Sequence, residues 1–132
     1  MGMSWKETLS VDVVSIDRQH QALIERAEGF FTAIRAGLTR DQLLDGLDQV
    51  IEQVADHFEH EERVMRNIHL PALLVHQRLH QSLLDEVREF REELTLGVNE
   101  RSAADIERFL NTWLYRHIVD EDRKIFDHLH RI

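Results

Sequence analysis

The sequence predicts an all-α fold: an up-down-up-down antiparallel four-helix bundle with a non-helical N-terminal arm. Three observations lead there. Apolar residues recur at steps of three and four in four separate stretches. The connections between them are short, which sets neighbouring helices antiparallel. Only one proline and five glycines interrupt 132 residues, a composition suited to a few long helices rather than many short strands.

The elements follow in order. The first stripe reads Ile16, His20, Leu23, Ile24, Ala27, Phe31 and Ile34, ending near Gly37. Residues before 16 lack helical periodicity, and Val11, Val13 and Val14 are expected to pack on the bundle. Thr39 can cap the second helix, with Asp41 and Gln42 in its first turn. Its stripe is Leu43, Leu47, Val50, Val54, His57, Glu61, Val64 and Ile68. Pro71 suits the start of the third helix, where its missing N–H is not needed. That stripe runs Leu73, His76, His80, Leu83, Val87, Phe90, Leu94 and stops near Gly97. Asn99 or Ser102 can cap the fourth helix, which carries Ile106, Phe109, Leu110, Trp113 and His117. Residues 1–132 thus read as one domain, with an arm over 1–15 and a bundle over 16–132.

Charge and composition exclude several classes. A formal net charge of −9 repels phosphate backbones and anionic lipid, which argues against nucleic acid as a partner. The absence of cysteine removes disulfides, thiolate metal sites and cysteine nucleophiles. No apolar run is long enough to span a bilayer. MGMSWKETLS shows no basic segment followed by an apolar one, so a cytoplasmic address is expected. The unusual count is nine histidines.

Every stripe contains polar residues where the period calls for apolar ones: His20 on the first, His57 and Glu61 on the second, His76 and His80 on the third, and His117 followed by Asp122 on the fourth. Residues at i and i+4 project about 40° apart, so each such pair can reach a common point. His20 lies near the start of its helix, His57 two-thirds along, His76 and His80 at a start, His117 late. Antiparallel packing brings these levels together at one end of the core. One buried histidine is usually a satisfied core residue. Seven unpartnered polar groups would cost several kcal/mol each, exceeding the stability of a domain. A metal site accounts for them more simply than a mutual hydrogen-bond network. His60, His69, His128 and His130 lie off the stripes or near chain ends and are read as exposed or rim residues.

Nitrogen and oxygen donors without sulfur allow Zn, Fe, Mn, Ni or Cu, and seven ligands exceed one tetrahedral zinc. Carboxylates can bridge, so two ions are natural. His76, His80 and His117 serve one ion, and His20 and His57 the other. With Glu61, Asp122 and one oxygen bridging, the first ion counts six ligands and the second five, leaving an open position. No histidine has a glutamate three residues before it, unlike the Glu-x-x-His pairs of ferritin-like di-metal bundles. A mostly imidazole site is less anionic than those and favours retention of Fe(II). The five-residue step from His117 to Asp122 is about 140° on a regular helix, so a π-type turn or break is expected between them.

The motifs IDRQH (16–20), HFEHEERVM (57–65), HQRLH (76–80) and WLYRHIVDED (113–122), together with Trp5, resemble the hemerythrin family in its bacterial single-domain form. All seven ligand positions of that family are occupied, and the resemblance covers nearly the whole chain. It implies two non-haem Fe ions bridged by an oxo or hydroxo group and two carboxylates. It implies O2 bound end-on, as hydroperoxide, at the five-coordinate iron of His20 and His57. The apolar walls of the O2 pocket map onto Leu23, Phe58 and Trp113, each also explained by core packing. There are departures. A frequent Gly-Tyr-Pro before the third helix is His69-Leu70-Pro71 here, and a common arm glycine is Asp12. These touch loop shape and access, not ligation.

The expected function is reversible O2 binding as a carrier, store or delivery module, and not an enzyme. One alternative is a sensor of oxygen or redox state acting through a protein partner, since the chain has no room for an output domain. Another is an enzyme acting on peroxide or nitric oxide, and the last is a metal-free interaction bundle. Metal content separates the last from the rest, and autoxidation rate separates a carrier from a sensor or enzyme.

Overall fold

The computed structural model describes residues 13–96, 103–117, 127 and 130. Four helices make up the bundle: α1 (Val14–Ala36), α2 (Arg40–Asn67), α3 (Leu73–Leu96) and α4 (Ala103–Tyr115). α1 packs on α2 and α4, and α2 packs on α3.

α1 starts two residues earlier than the hydrophobic pattern implies. Val13 is extended (φ −121°, ψ 107°) and its carbonyl accepts from the Asp17 N–H at 2.9 Å, so the first helical turn closes ahead of Ile16. Val14 then sits about 200° round the helix from Ile16, and it is 65% exposed instead of packing on the bundle. Val13 does pack, partly buried against Ile16, Met65 and Leu70. Val11 and Trp5 lie outside the described residues, as do Asn99 and Ser102.

The helix ends follow local chemistry. Gly37, at φ 101°, stops α1 and donates its N–H to the Ile34 carbonyl. Thr39 caps α2 reciprocally: its hydroxyl accepts from the Gln42 N–H at 3.2 Å, and the Gln42 carbonyl accepts from the Thr39 N–H at 3.1 Å. The far end of α2 is a Schellman motif. His69 takes a left-handed backbone (φ 56°), its N–H donates to Arg66 O at 3.2 Å, and the Leu70 N–H donates to Met65 O at 2.9 Å. Pro71 belongs to the turn that follows, two residues before α3, and not to the first helical turn.

Two apolar clusters fill the bundle. The larger draws on all four helices, from Leu23 through Ile34 on α1, Leu47 through Phe58 on α2, Leu83 through Phe90 on α3, and Ile106 through Leu114 on α4. The smaller holds Ile16, Met65 and Leu70. At the surface, arginines tie the helices in pairs: Arg26 to Gln49 and Gln53, Arg91 to Asp48, Arg116 to Glu86, and Arg35 to Glu107. Such exposed pairs add little stability and serve to hold one helix against the next. Among the described residues, no helix is long and apolar enough to cross a membrane.

Candidate metal centre

A polar layer separates the two apolar clusters. His20 follows Ile16 by one turn on α1, and His57 and Glu61 lie between Val54 and Met65 on α2. His76 and His80 occupy the first two turns of α3, and His117 directly follows α4. All six are buried, none more than 2% exposed. The site therefore lies near one end of the bundle, as the pattern implies, with a small apolar plug beyond it.

Glu61 is the hub. Its Oε2 lies 3.3 Å from His20 Nε2 and 3.1 Å from His57 Nε2. Its Oε1 lies 3.1 Å from His80 Nε2 and 3.4 Å from His117 Nε2. Each carboxylate oxygen thus faces its own pair of imidazoles. His76 completes the layer, its ring 4.7 Å from that of His80 and perpendicular to it. Two groups of potential ligand atoms result, each gathered within 4.8 Å: His20, His57, Glu61 and His117, and Glu61, His76 and His80. Glu61 is common to both.

His117 stands between the two groups. Its Nε2 is 3.3 Å from His57 Nε2, yet it faces the Glu61 oxygen that His80 also faces. The backbone passes from α to π geometry at Arg116 and His117, where the five-residue step toward Asp122 begins. Asp122 itself lies outside the described residues.

The donor set fits a cation. His57 Nδ1 donates to the side-chain Oε1 of Gln19 at 2.7 Å, and His80 Nδ1 donates to Glu62 Oε2 at 2.8 Å. With Nδ1 carrying the proton, a neutral imidazole presents a lone pair at Nε2. Those lone pairs point at the Glu61 carboxylate, acceptor against acceptor, and His57 Nε2 also faces His20 Nε2 at 3.0 Å. A positive ion between them turns repulsion into ligation. Histidine ligands are commonly oriented this way, by a hydrogen bond from the far ring nitrogen.

Gln19 and Glu62 were not legible as part of the site. Each adjoins a ligand in sequence, about 100° off the inward stripe, where a polar residue reads as ordinary surface. Of the apolar wall residues, Phe58 touches the polar layer directly: it stacks on His80 with ring centroids 3.9 Å apart and meets His117 edge-on at 4.6 Å. Leu23 and Trp113 are buried in the same cluster as Phe58, and the Trp113 indole N–H donates to Leu83 O at 2.9 Å. His60 is a rim residue, with Ser15 Oγ 2.8 Å from its Nε2, while His69 and His130 are exposed. His128 lies outside the described residues.

Comparison with known proteins finds the same family and the same fold. The family model described as hemerythrin HHE cation binding domain matches residues 11–129. A bacteriohemerythrin of Stenotrophomonas maltophilia is 27% identical over 93% of this chain and 78% of its own length. One from Clostridium acetobutylicum is 24% identical over 93% and 98%. The crystal structure of a wild-type hemerythrin superposes with a TM-score of 0.82 at 24% identity, covering 98% of both chains. A single-substitution variant of hemerythrin gives 0.83 at 23% identity, over 99% of this chain and all of that one.

Proposed function

The chain belongs to the hemerythrin HHE cation-binding family, and from that premise we propose that it binds O2 reversibly at a non-haem di-iron centre and does not turn over a substrate. The observation that carries the reading is the Glu61 carboxylate, whose two oxygens face separate imidazole pairs as a bridge between two ions requires. His20 and His57 would hold one iron, and His76, His80 and His117 the other. Asp122 would supply the second bridging carboxylate beside an oxo or hydroxo bridge. Two ferrous ions so held would supply the electrons that make O2 binding at the five-coordinate position favourable.

The chain's own residues set the conditions. Gln19 and Glu62 keep Nε2 of His57 and His80 turned inward. Phe58, buried in one apolar cluster with Leu23 and Trp113, stacks on the layer, and such apolar surface would exclude the water that promotes irreversible oxidation. A second assignment has its own support: the 3.3 Å between His57 and His117 Nε2 would give His117 to the ion of His20 and His57. The open position then moves to the ion of His76 and His80.

The test is iron quantitation with visible spectra of the reduced protein before and after O2. Two irons per chain and a spectrum that reverses on deoxygenation support the proposal. Irreversible oxidation on first contact with air, with no oxygenated species in stopped-flow spectra, overturns the carrier reading in favour of a sensor or enzyme. Azide, a small anion that takes an open position, distinguishes the two His117 assignments by the ion it binds in a crystal of the iron-loaded protein.

A further inference from the structure

Two hydrogen bonds that leave the polar layer, one from His57 and one from His80, differ in charge, and from this we infer that Glu62 and Gln19 are positioning residues that make the two metal positions electronically unequal. The inference rests on the di-iron reading and adds to it which ion is the harder to keep reduced.

Both bonds start at Nδ1 of an imidazole whose Nε2 faces Glu61, and their lengths are alike, 2.7 Å at Gln19 and 2.8 Å at Glu62. The acceptors are not alike. Glu62 is a carboxylate on α2 that reaches across to α3, whereas Gln19 is a neutral amide on α1 that reaches to α2. An ionised acceptor makes the stronger hydrogen bond and draws the Nδ1 proton further from the ring. The ring then becomes a better donor at Nε2. His80 is therefore the more basic ligand, and its ion is the more stabilised in the ferric state. His57 has a neutral acceptor instead, so its bond does less to favour the ferric state of its ion. In the first assignment above, that ion would be the one with the open position. The His80 end of the bond is buried, 2% exposed, while Glu62 is 24% exposed and retains contact with solvent.

Glu62→Gln and Gln19→Glu exchange the acceptors at nearly constant shape. In zinc(II)-loaded protein, the Nδ1 proton of His80 should resonate downfield of that of His57. Glu62→Gln should bring it to the His57 position, and Gln19→Glu should move the His57 proton downfield. In iron-loaded protein, Glu62→Gln should lower the ferric-to-ferrous binding ratio at the His80 ion about tenfold, raising its one-electron potential by about 59 mV. Gln19→Glu should lower the potential of the other ion. Equal proton shifts in the wild type, or potentials unmoved by both substitutions in a protein that binds two irons, overturn the inference. A uniform loss of metal affinity in Glu62→Gln without movement of the proton resonance also overturns it, because a merely structural support predicts that result. Failure of the wild type to bind an iron pair, with the zinc asymmetry intact, refutes the di-iron reading and leaves the unequal ligands standing.

Discussion

Replacing Glu61 with Gln removes a charged ligand from both metal positions while nearly preserving shape. In the metal-free protein the change should be mild, because the new amide N–H groups face imidazole nitrogens 3.1 to 3.4 Å away and can donate to them. A net change within about 1 kcal/mol is expected, the size of one hydrogen bond. The metal-loaded protein should respond differently. At a free metal concentration about 1,000 times Kd, one site contributes about 4.1 kcal/mol. At about 3–5 °C per kcal/mol for a chain of this size, each occupied site raises Tm by roughly 12–20 °C. Losing the shared carboxylate should weaken each site by about 100-fold, the upper range seen even for outer partners of metal ligands. At the same metal concentration the remaining contribution is about 1.4 kcal/mol, or roughly 4–7 °C. Thermal melts of chelator-treated and metal-loaded protein, with metal counted per chain, read both quantities. A variant that keeps two metals and the wild-type gain in Tm would show that Glu61 is a buried polar residue and not a bridge. Equal Tm for metal-free and loaded wild type would deny a buried site altogether.

Thr39→Ala removes the reciprocal cap of α2 and should cost about 1 kcal/mol in a urea titration with metal content unchanged. His69→Gly should stabilise by about 0.5–1 kcal/mol, since the left-handed backbone at φ 56° costs a side-chain-bearing residue about 1–2 kcal/mol and glycine returns part of that as unfolded-state entropy. His69→Ala should show no such gain in the same titration. Acid should release the metal: imidazolium cannot ligate, so protons compete with the ion at each histidine and the stability conferred by metal is lost as pH falls. Full metal retention at pH 4, read with a colorimetric chelator, would argue against imidazole ligation.

Much of the fold is written in spacing alone. Gly37 and Thr39 mark adjacent helix ends because each acts through its own backbone or a partner three residues away. The inward stripes carry the histidines because burial imposes the helical period on polar and apolar residues alike. What spacing cannot convey is contact across helices between residues off the stripe. Gln19 and Glu62 become part of the site only once α1 meets α2 and α2 meets α3. Val14 is apolar and adjoins an apolar stripe, yet the early start of α1 turns it outward. His69 gains meaning from its φ: a left-handed position that glycine adopts freely here bears a side chain.

The plug of Ile16, Met65 and Leu70 carries a consequence for exchange with solvent. Met65 and Leu70 are also the two residues joined by the last hydrogen bond of the Schellman motif. Fraying that single turn of α2 loosens the smaller apolar cluster, while the larger one on the other side of the histidines stays packed. Helix ends open far more often than whole domains unfold. Among the described residues, this end is the thin wall of the site. The speed with which a chelator strips the protein should therefore track the hydrogen-exchange rate of the Leu70 amide, and not the global unfolding rate.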